Sequence, residues 1–269
     1  MKKIGLIAGA GELPVEFAKS ALNKNKQLVI YGIKGITDRK IQSIAPTKWL
    51  YLGQAQKLID TMKEDNISDV VMLGKVEHYH LLTSIHRFDN RARKFFSSLI
   101  DRRAKSILEA VLKELEKEGF NPIDPSPYLS SLLAPEGLIA GDNPPQHLME
   151  DALFGLKIAK EVAQLDIGQT VVVKDRIVIA VEGLEGTDKC IIRGGELGGE
   201  GTVVCKVARK NQDMRYDVPV IGEKTLKSMK KAKAKLLAVE AGKTFIIGNE
   251  ELKKMASKFH ISIIGINLS

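Results

Sequence analysis

The chain has 269 residues, 44% of them hydrophobic and 28% charged, with a formal net charge of +8. That composition fits a soluble globular protein long enough for two domains, and no apolar run approaches the roughly 18 to 20 residues a bilayer crossing requires. The positive excess is spread, with 21 basic and 18 acidic residues up to Glu150 and 20 and 15 after it, and aromatics make up only 5%, which argues against a nucleic-acid interface of interleaved cations and rings. In chain order, Lys3 to Ala8 reads as a strand. A turn, Gly9-Ala10-Gly11-Glu12-Leu13-Pro14, follows, and Val15 to Leu22 carries helical spacing behind Pro14. Gln27 to Tyr31, Trp49 to Leu52 and Val70 to Leu73 read as further strands, with a helix over Ala55 to Glu64. The alternation implies a parallel sheet over residues 1–130. Ala104 to Glu118 is a helix with Ile107, Leu108, Val111, Leu112 and Leu115 on one face, and Phe120 to Ile123 the next strand.

From Asp124 to Gln146 the character changes. Five of the nine prolines fall here, with Gly137 and Gly141, so residues 131–146 are expected to link the first domain to a second over 147–269. Beyond it, His147 to Leu165 reads as a helix, and Thr170 to Val173 with Arg176 to Val181 as a hairpin turning at Lys174-Asp175. Thr202 to Ala208, Leu236 to Glu240, Thr244 to Ile247 and Ser262 to Ile266 read as strands and Thr225 to Lys235 as a helix. The fold class expected is therefore α/β, a Rossmann-like parallel-sheet domain joined to a mixed α+β domain. The apolar stretch Ile4 to Ala10 is too short for a signal peptide and runs into a turn, so the chain is expected in the cytoplasm. Cys190 and Cys205 lack the spacing of a zinc site and are expected to be small apolar side chains on strands.

Carboxylates cluster in the second half. Glu182, Glu185 and Asp188 surround Gly183 and Gly186 after an apolar strand. Asp213 and Asp217 flank Arg215, and in an extended segment the three would project to one side. Such a set could hold Mg²⁺ through its acids and a phosphate through its arginine, the bland reading being solvated turn residues and an ion pair. Lys206, on a strand, is either a phosphate contact or an outward-facing lysine. Gly9-Ala10-Gly11 between strand and helix suits a phosphate, or a tight turn needing glycine for its angles. Pro14 and the lack of an acid after the second strand break the dinucleotide pattern and argue against NAD. Gly74-Lys75 ends a strand where ligands of open parallel sheets bind. The lysines at 224, 227, 230, 231, 233 and 235 make a basic helix, either a solvated face or one that rests on an anionic membrane. His78 and His80 lack a third metal ligand nearby, and no Gly-x-Ser-x-Gly elbow marks a serine hydrolase.

Taken together, Ile7 to Pro14, Gly74-Lys75-Val76, Leu132-Leu133-Ala134-Pro135, Asp166-Ile167-Gly168-Gln169, Val181-Glu182 with Glu185 to Asp188, and Gln212-Asp213 with Arg215, Asp217, Pro219, Ile221 and Gly222 resemble the LpxI family. The resemblance spans nearly the whole chain. It implies a UDP-2,3-diacylglucosamine pyrophosphatase of lipid A biosynthesis, using Mg²⁺ to give UMP and 2,3-diacylglucosamine 1-phosphate, with the acids of the second domain doing the chemistry. On that basis Asp213, Asp217, Arg215 and Lys206 are the expected catalytic residues. Asp213, Asp217, Glu185 and Asp188 would hold the metal, and Gly9, Gly11, Glu12, Lys75, Thr187 and Gln212 would contact the substrate. The segment Asp101 to Ser106 departs from the family in being basic. A lipid-linked UDP-sugar is the implied partner and no nucleic acid is expected; peripheral contact at the inner membrane and a homodimer are left open by the sequence. Two other readings stay open, a nucleotide-sugar binding module without turnover and a pyrophosphatase acting on another nucleotide sugar.

Overall fold

The computed structural model describes residues 2–76, 80, 84–101, 103–210, 212–216 and 218–268. It divides into two compact units, Met1–Ser130 with Asp213–Asp217, and Ser131–Gln212 with Val218–Ser269.

In the first unit, β1 (Lys3–Ala8), β2 (Gln27–Ile33), β3 (Thr47–Leu50), β4 (Asp69–Leu73) and β5 (Asn121–Pro122) form a parallel sheet in the order β3-β2-β1-β4-β5. The continuous apolar runs of β1 and β2 fit strands covered on both faces, and Ile4, Leu6, Ala8 and Leu28 to Tyr31 are all buried. The order reverses between β1 and β4, the place where open sheets of this kind present loops to ligands. Around the sheet run α1 (Leu13–Asn23), α2 (Ala55–Glu64), α3 (Asn90–Ser98) and α4 (Ala104–Lys117). Gly119, at φ +89°, closes α4 in the left-handed conformation that glycine adopts without strain. Helix α3 has too few apolar residues for its periodicity to be read. Its start is set by Asp89, whose carboxylate accepts from the amides of Ala92 and Gln56 at 2.8 Å each. The strand expected over Phe120 to Ile123 shrinks to two residues, since Pro122 has no amide to donate.

The linker expected over residues 131–146 is corrected by the structure. Gly137–Ala140 form β6, the edge strand of the second unit's sheet, and Ala134 is buried with its amide donating to the Thr244 carbonyl at 2.8 Å. The prolines bracket this strand instead of interrupting it, and an edge is where a sheet tolerates them. Upstream, Ser126–Leu129 form the short α5.

The second sheet contains β6, β7 (Thr170–Lys174), β8 (Ile177–Val181), β9 (Val203–Lys206), β11 (Leu236–Glu240) and β13 (Ser262–Ile266), in the order β6-β13-β11-β9-β7-β8. Its centre, β13-β11-β9, is parallel, while β6, β7 and β8 run antiparallel to their neighbours. Successive side chains alternate between two cores. Val171, Val173, Val203, Cys205, Leu236 and Ala238 pack with Leu148, Ala152, Leu156 and Ala159 of α6 (Gln146–Gln164). Val172, Val204, Leu237 and Val239 pack with Cys190 and Ile191 of α7 (Thr187–Gly198), Leu226 and Met229 of α8 (Glu223–Lys231), and Leu252 and Ala256 of α9 (Asn249–Phe259). The unit is thus a helix-sheet-helix sandwich with a mixed sheet. Two short strands, β10 (Val220–Ile221) and β12 (Phe245–Ile246), pair separately.

The hairpin turns at Asp175-Arg176, one residue later than the sequence suggests. Both residues have positive φ, and their amides donate to the buried Asp151 carboxylate at 2.9 and 2.6 Å. Cys190 lies on α7, not on a strand, and Cys205 on β9; both are buried. Burial pushes the Cys190 thiol up to about 12, so it stays an apolar filler.

Candidate active site

Lys206 is the last residue of β9, paired across the ladder with Thr170, the first of β7. It is not an outward-facing lysine: its residue is only 6% exposed. Its Nζ donates to Thr187 Oγ1 at 2.8 Å and to Thr170 Oγ1 at 3.3 Å. Thr187, in the first turn of α7, donates in turn to Glu182 Oε1 at 2.9 Å, and Gln169 N donates to Glu182 Oε2 at 3.2 Å. Burial raises the Glu182 pKa, but the Lys206 charge and the Thr170 and Thr187 hydroxyls outweigh it and hold the carboxylate below its usual range. Glu182 is therefore the ionised centre of a polar group, not the solvated turn residue its flanking glycines suggest. Gly168 lies so close to it that a Cβ there would meet the Glu182 carbonyl oxygen at 2.2 Å.

The expected acid quartet does not assemble among the described residues. Glu185 accepts from Arg193 Nη2 at 2.5 Å, and that bond first, then local amides, holds its pKa down against burial. Asp188 accepts from Ser228 Oγ at 3.3 Å. Asp213 groups with the first unit and is gripped by Arg215, whose Nε lies 3.0 Å from Oδ1 and Nη2 2.8 Å from Oδ2; the pair keeps the carboxyl ionised. Residues 213–216 form a turn, with Arg215 N donating to Asp213 Oδ1 at 3.0 Å, so the extended projection expected for this stretch is corrected. Arg215 reaches Glu116 at 3.2 Å and Tyr216 OH donates to Glu109 at 2.8 Å, both on α4. Asp217 lies outside the described residues, as does His78. No three His, Cys, Asp or Glu side chains among the described residues converge where a metal ion could be held.

At the glycine loop the backbone is largely committed. Gly9 N donates to Leu73 O at 2.7 Å, while Ala10 and Lys75 exchange amide bonds of 2.9 Å. A Cβ on Gly9 would meet the Gly74 backbone at 2.8 Å, and one on Gly74 would meet Gly9 at 2.7 Å. These two glycines let the ends of β1 and β4 touch, and the Gly9 amide is not available to a phosphate. Gly11, at φ +100°, borders open space and opens α1 with Glu12, whose carboxylate pairs with Lys40 at 2.5 Å. Lys75 is exposed, and Gln212 Oε1 accepts from Arg209 N at 3.4 Å.

Sequence reasoning missed two further polar groups. Asp166, at φ +59°, holds Arg209 through Nε and Nη2 at 2.9 Å each. Glu240, 2% exposed, accepts from Lys160 Nζ at 2.8 and 2.7 Å and from Ala208 N at 2.9 Å, anchoring the chain just beyond β9. A charged residue ending an apolar strand was the available signal for Glu240. The basic helix α8 turns Leu226 and Met229 into the core, and Lys227 pairs with Glu223 at 2.5 Å, so it offers charge but no apolar side to a membrane. No helix among the described residues is long and apolar enough to cross one.

Two family models match consecutive parts of the chain, the LpxI N-terminal domain over residues 3–132 and the LpxI C-terminal domain over 135–264. The chain belongs to the LpxI family. As a member of it the chain is an enzyme. It is 28% identical over 278 aligned positions to the UDP-2,3-diacylglucosamine pyrophosphatase LpxI of Caulobacter vibrioides, covering 99% of this chain and 98% of that one. Among solved structures, the precorrin-6A reductase CobK aligns over 99% of this chain and 88% of its own at 13% identity, but a TM-score of 0.32 informs neither fold nor chemistry. The LpxI match places the Lys206 group, the Asp213-Arg215 turn and the Gly-rich loop within one family's sequence frame.

Proposed function

We propose that this LpxI chain hydrolyses the pyrophosphate of UDP-2,3-diacylglucosamine, giving UMP and 2,3-diacylglucosamine 1-phosphate (lipid X), in lipid A biosynthesis. The observation that carries the reading is the buried Lys206 ammonium at the end of β9, in a chain that follows the LpxI relative from end to end. Water adds across the P–O–P bridge, its oxygen to one phosphorus and its protons shared between the two phosphates released. A fixed cation in a site shielded from water stabilises the charge that grows on the leaving phosphate more strongly than an exposed one. Lys206 and Arg215 are the basic contacts in this reading, Thr187, Gln212, Gly11, Glu12 and Lys75 line the substrate, and Asp213 and Asp217 handle the metal or the water. Mg²⁺ supplies further neutralisation of the pyrophosphate. It commonly binds through substrate phosphates with only one or two carboxylates, so it does not need a ready-made cage of protein ligands. The exposed lysines of α8 would bring the enzyme to the anionic cytoplasmic face of the inner membrane, where an acylated substrate resides.

Acyl dependence tests the substrate. With Mg²⁺ present, kcat/KM for UDP-2,3-diacylglucosamine is expected to exceed that for UDP-N-acetylglucosamine by on the order of 100-fold or more, because remote apolar contacts help organise the reacting centre. Equal rates would move the assignment to a general nucleotide-sugar pyrophosphatase. Binding of the UDP-sugar without any turnover would leave a binding module.

A further inference from the structure

Lys206 is buried, yet among the described residues its countercharge is held one hydroxyl away instead of in direct contact. Two of its three N–H bonds go to Thr187 and Thr170. A threonine hydroxyl between an ammonium and a carboxylate has one arrangement: it accepts from the lysine and donates to the acid. Thr187 does this, and Thr170, also in contact with Lys206, donates to Thr187 Oγ1 at 3.4 Å and so joins the same relay. A direct Lys206–Glu182 ion pair would place the neutralising charge at contact and weaken the pull of the ammonium on another anion. The interposed hydroxyls keep the opposite charge close enough to offset burial, while the third N–H has no partner among the described residues.

The four residues come from separate elements that meet at one edge of the second sheet. Lys206 ends β9, Thr170 opens β7, Glu182 follows β8 and Thr187 lies in the first turn of α7. That edge is the carboxyl end of the parallel strands β9 and β11, where α/β sheets present ligand groups. We propose that Glu182 is a positioning residue which, through Thr187 and Thr170, aims the Lys206 ammonium at a phosphate oxygen of the substrate. The inference rests on the pyrophosphatase reading and adds Glu182 and Thr170 to its machinery. A purely structural tie between strands would equally join these residues, but it would not make turnover depend on whether position 187 carries a hydroxyl.

The test is UMP release from UDP-2,3-diacylglucosamine by wild type, Glu182→Gln, Thr187→Val and Thr187→Ser, with a thermal melt of each. Glu182→Gln and Thr187→Val are expected to lower kcat by about 10- to 100-fold with KM within about twofold, since a misaimed cation loses transition-state contact before it loses binding. Thr187→Ser, which keeps the hydroxyl, is expected to restore most of the rate. Folded Glu182→Gln with wild-type kcat overturns the inference, and so does Thr187→Val matching Thr187→Ser. If Glu182→Gln does not fold, the valine and serine pair decides. An inactive wild type overturns the pyrophosphatase reading itself, an outcome distinct from active wild type with active variants.

Discussion

Lys206→Met is expected to lower UMP release by about 100-fold or more while the protein stays folded, since a single preorganised donor to a developing oxyanion carries roughly that much of the rate. Methionine fills most of the lysine volume in a site that is 6% exposed, and it removes the charge together with the bonds to Thr187 and Thr170. The substitution also has a pH signature. With the folded-state pKa of Glu182 depressed, its ionisation stabilises the fold at pH values above the unfolded carboxyl value of about 4.3, and that stabilisation is lost as pH falls through the lower folded value. Removing Lys206 takes away the main charge that depresses this pKa. Urea titrations of the variant toward acid should therefore show a smaller loss of stability than wild type. A Lys206→Met enzyme with full activity would remove the lysine from the chemistry.

Glu240→Ala is expected to cost about 3–5 kcal/mol, among the largest single-residue losses available in the second unit. The change leaves Lys160, among the described residues, with the Ala208 carbonyl at 2.8 Å, and takes the carboxylate acceptor from the Ala208 amide. Replacing both partners, as Lys160→Met with Glu240→Leu, should recover most of the loss because neither charge is then stranded. The urea midpoint should fall in the single variant with an unchanged slope. A single variant within about 1 kcal/mol of wild type would show that Lys243, 3.0 Å from Glu240, and water already share the burden.

Much of the fold was legible where an apolar run is punctuated by glycine or charge. Strands β1, β11 and β13 and helix α2 have the limits that their sequences suggest. Helix α7 has no counterpart among the elements read from the sequence, its pattern being broken by Gly194, Gly195 and Gly198. Their reason is close packing: a Cβ on Gly194 would meet Val172 at 2.7 Å, and one on Gly195 would meet Ala232 at 2.5 Å. No local pattern reveals that a helix has sheet on one side and another helix on the other.

The site was legible in its residue types more than in its arrangement. Lys206 stood out as a charge in the run Val203-Val204-Cys205-Lys206, but whether it faced solvent depended on Thr170 and Thr187, which are 36 and 19 residues away. Glu182 could be read as part of an acid cluster or as a solvated turn residue beside Gly183 and Gly186, and its bonds to Thr187 and Gln169 choose the buried polar group. Asp213 and Arg215 were expected to converge on a ligand from an extended chain; a two-residue spacing instead let the arginine close on its own aspartate.

Hydrolysis of the lipid-linked UDP-sugar is decided by incubating wild type and an Asp217→Ala variant with UDP-2,3-diacylglucosamine, with Mg²⁺ or with a chelator, and scoring UMP. Wild type is expected to release UMP with Mg²⁺ and little with the chelator, and the variant to lose on the order of 100-fold or more. No UMP from wild type under any divalent metal would contradict that hydrolysis.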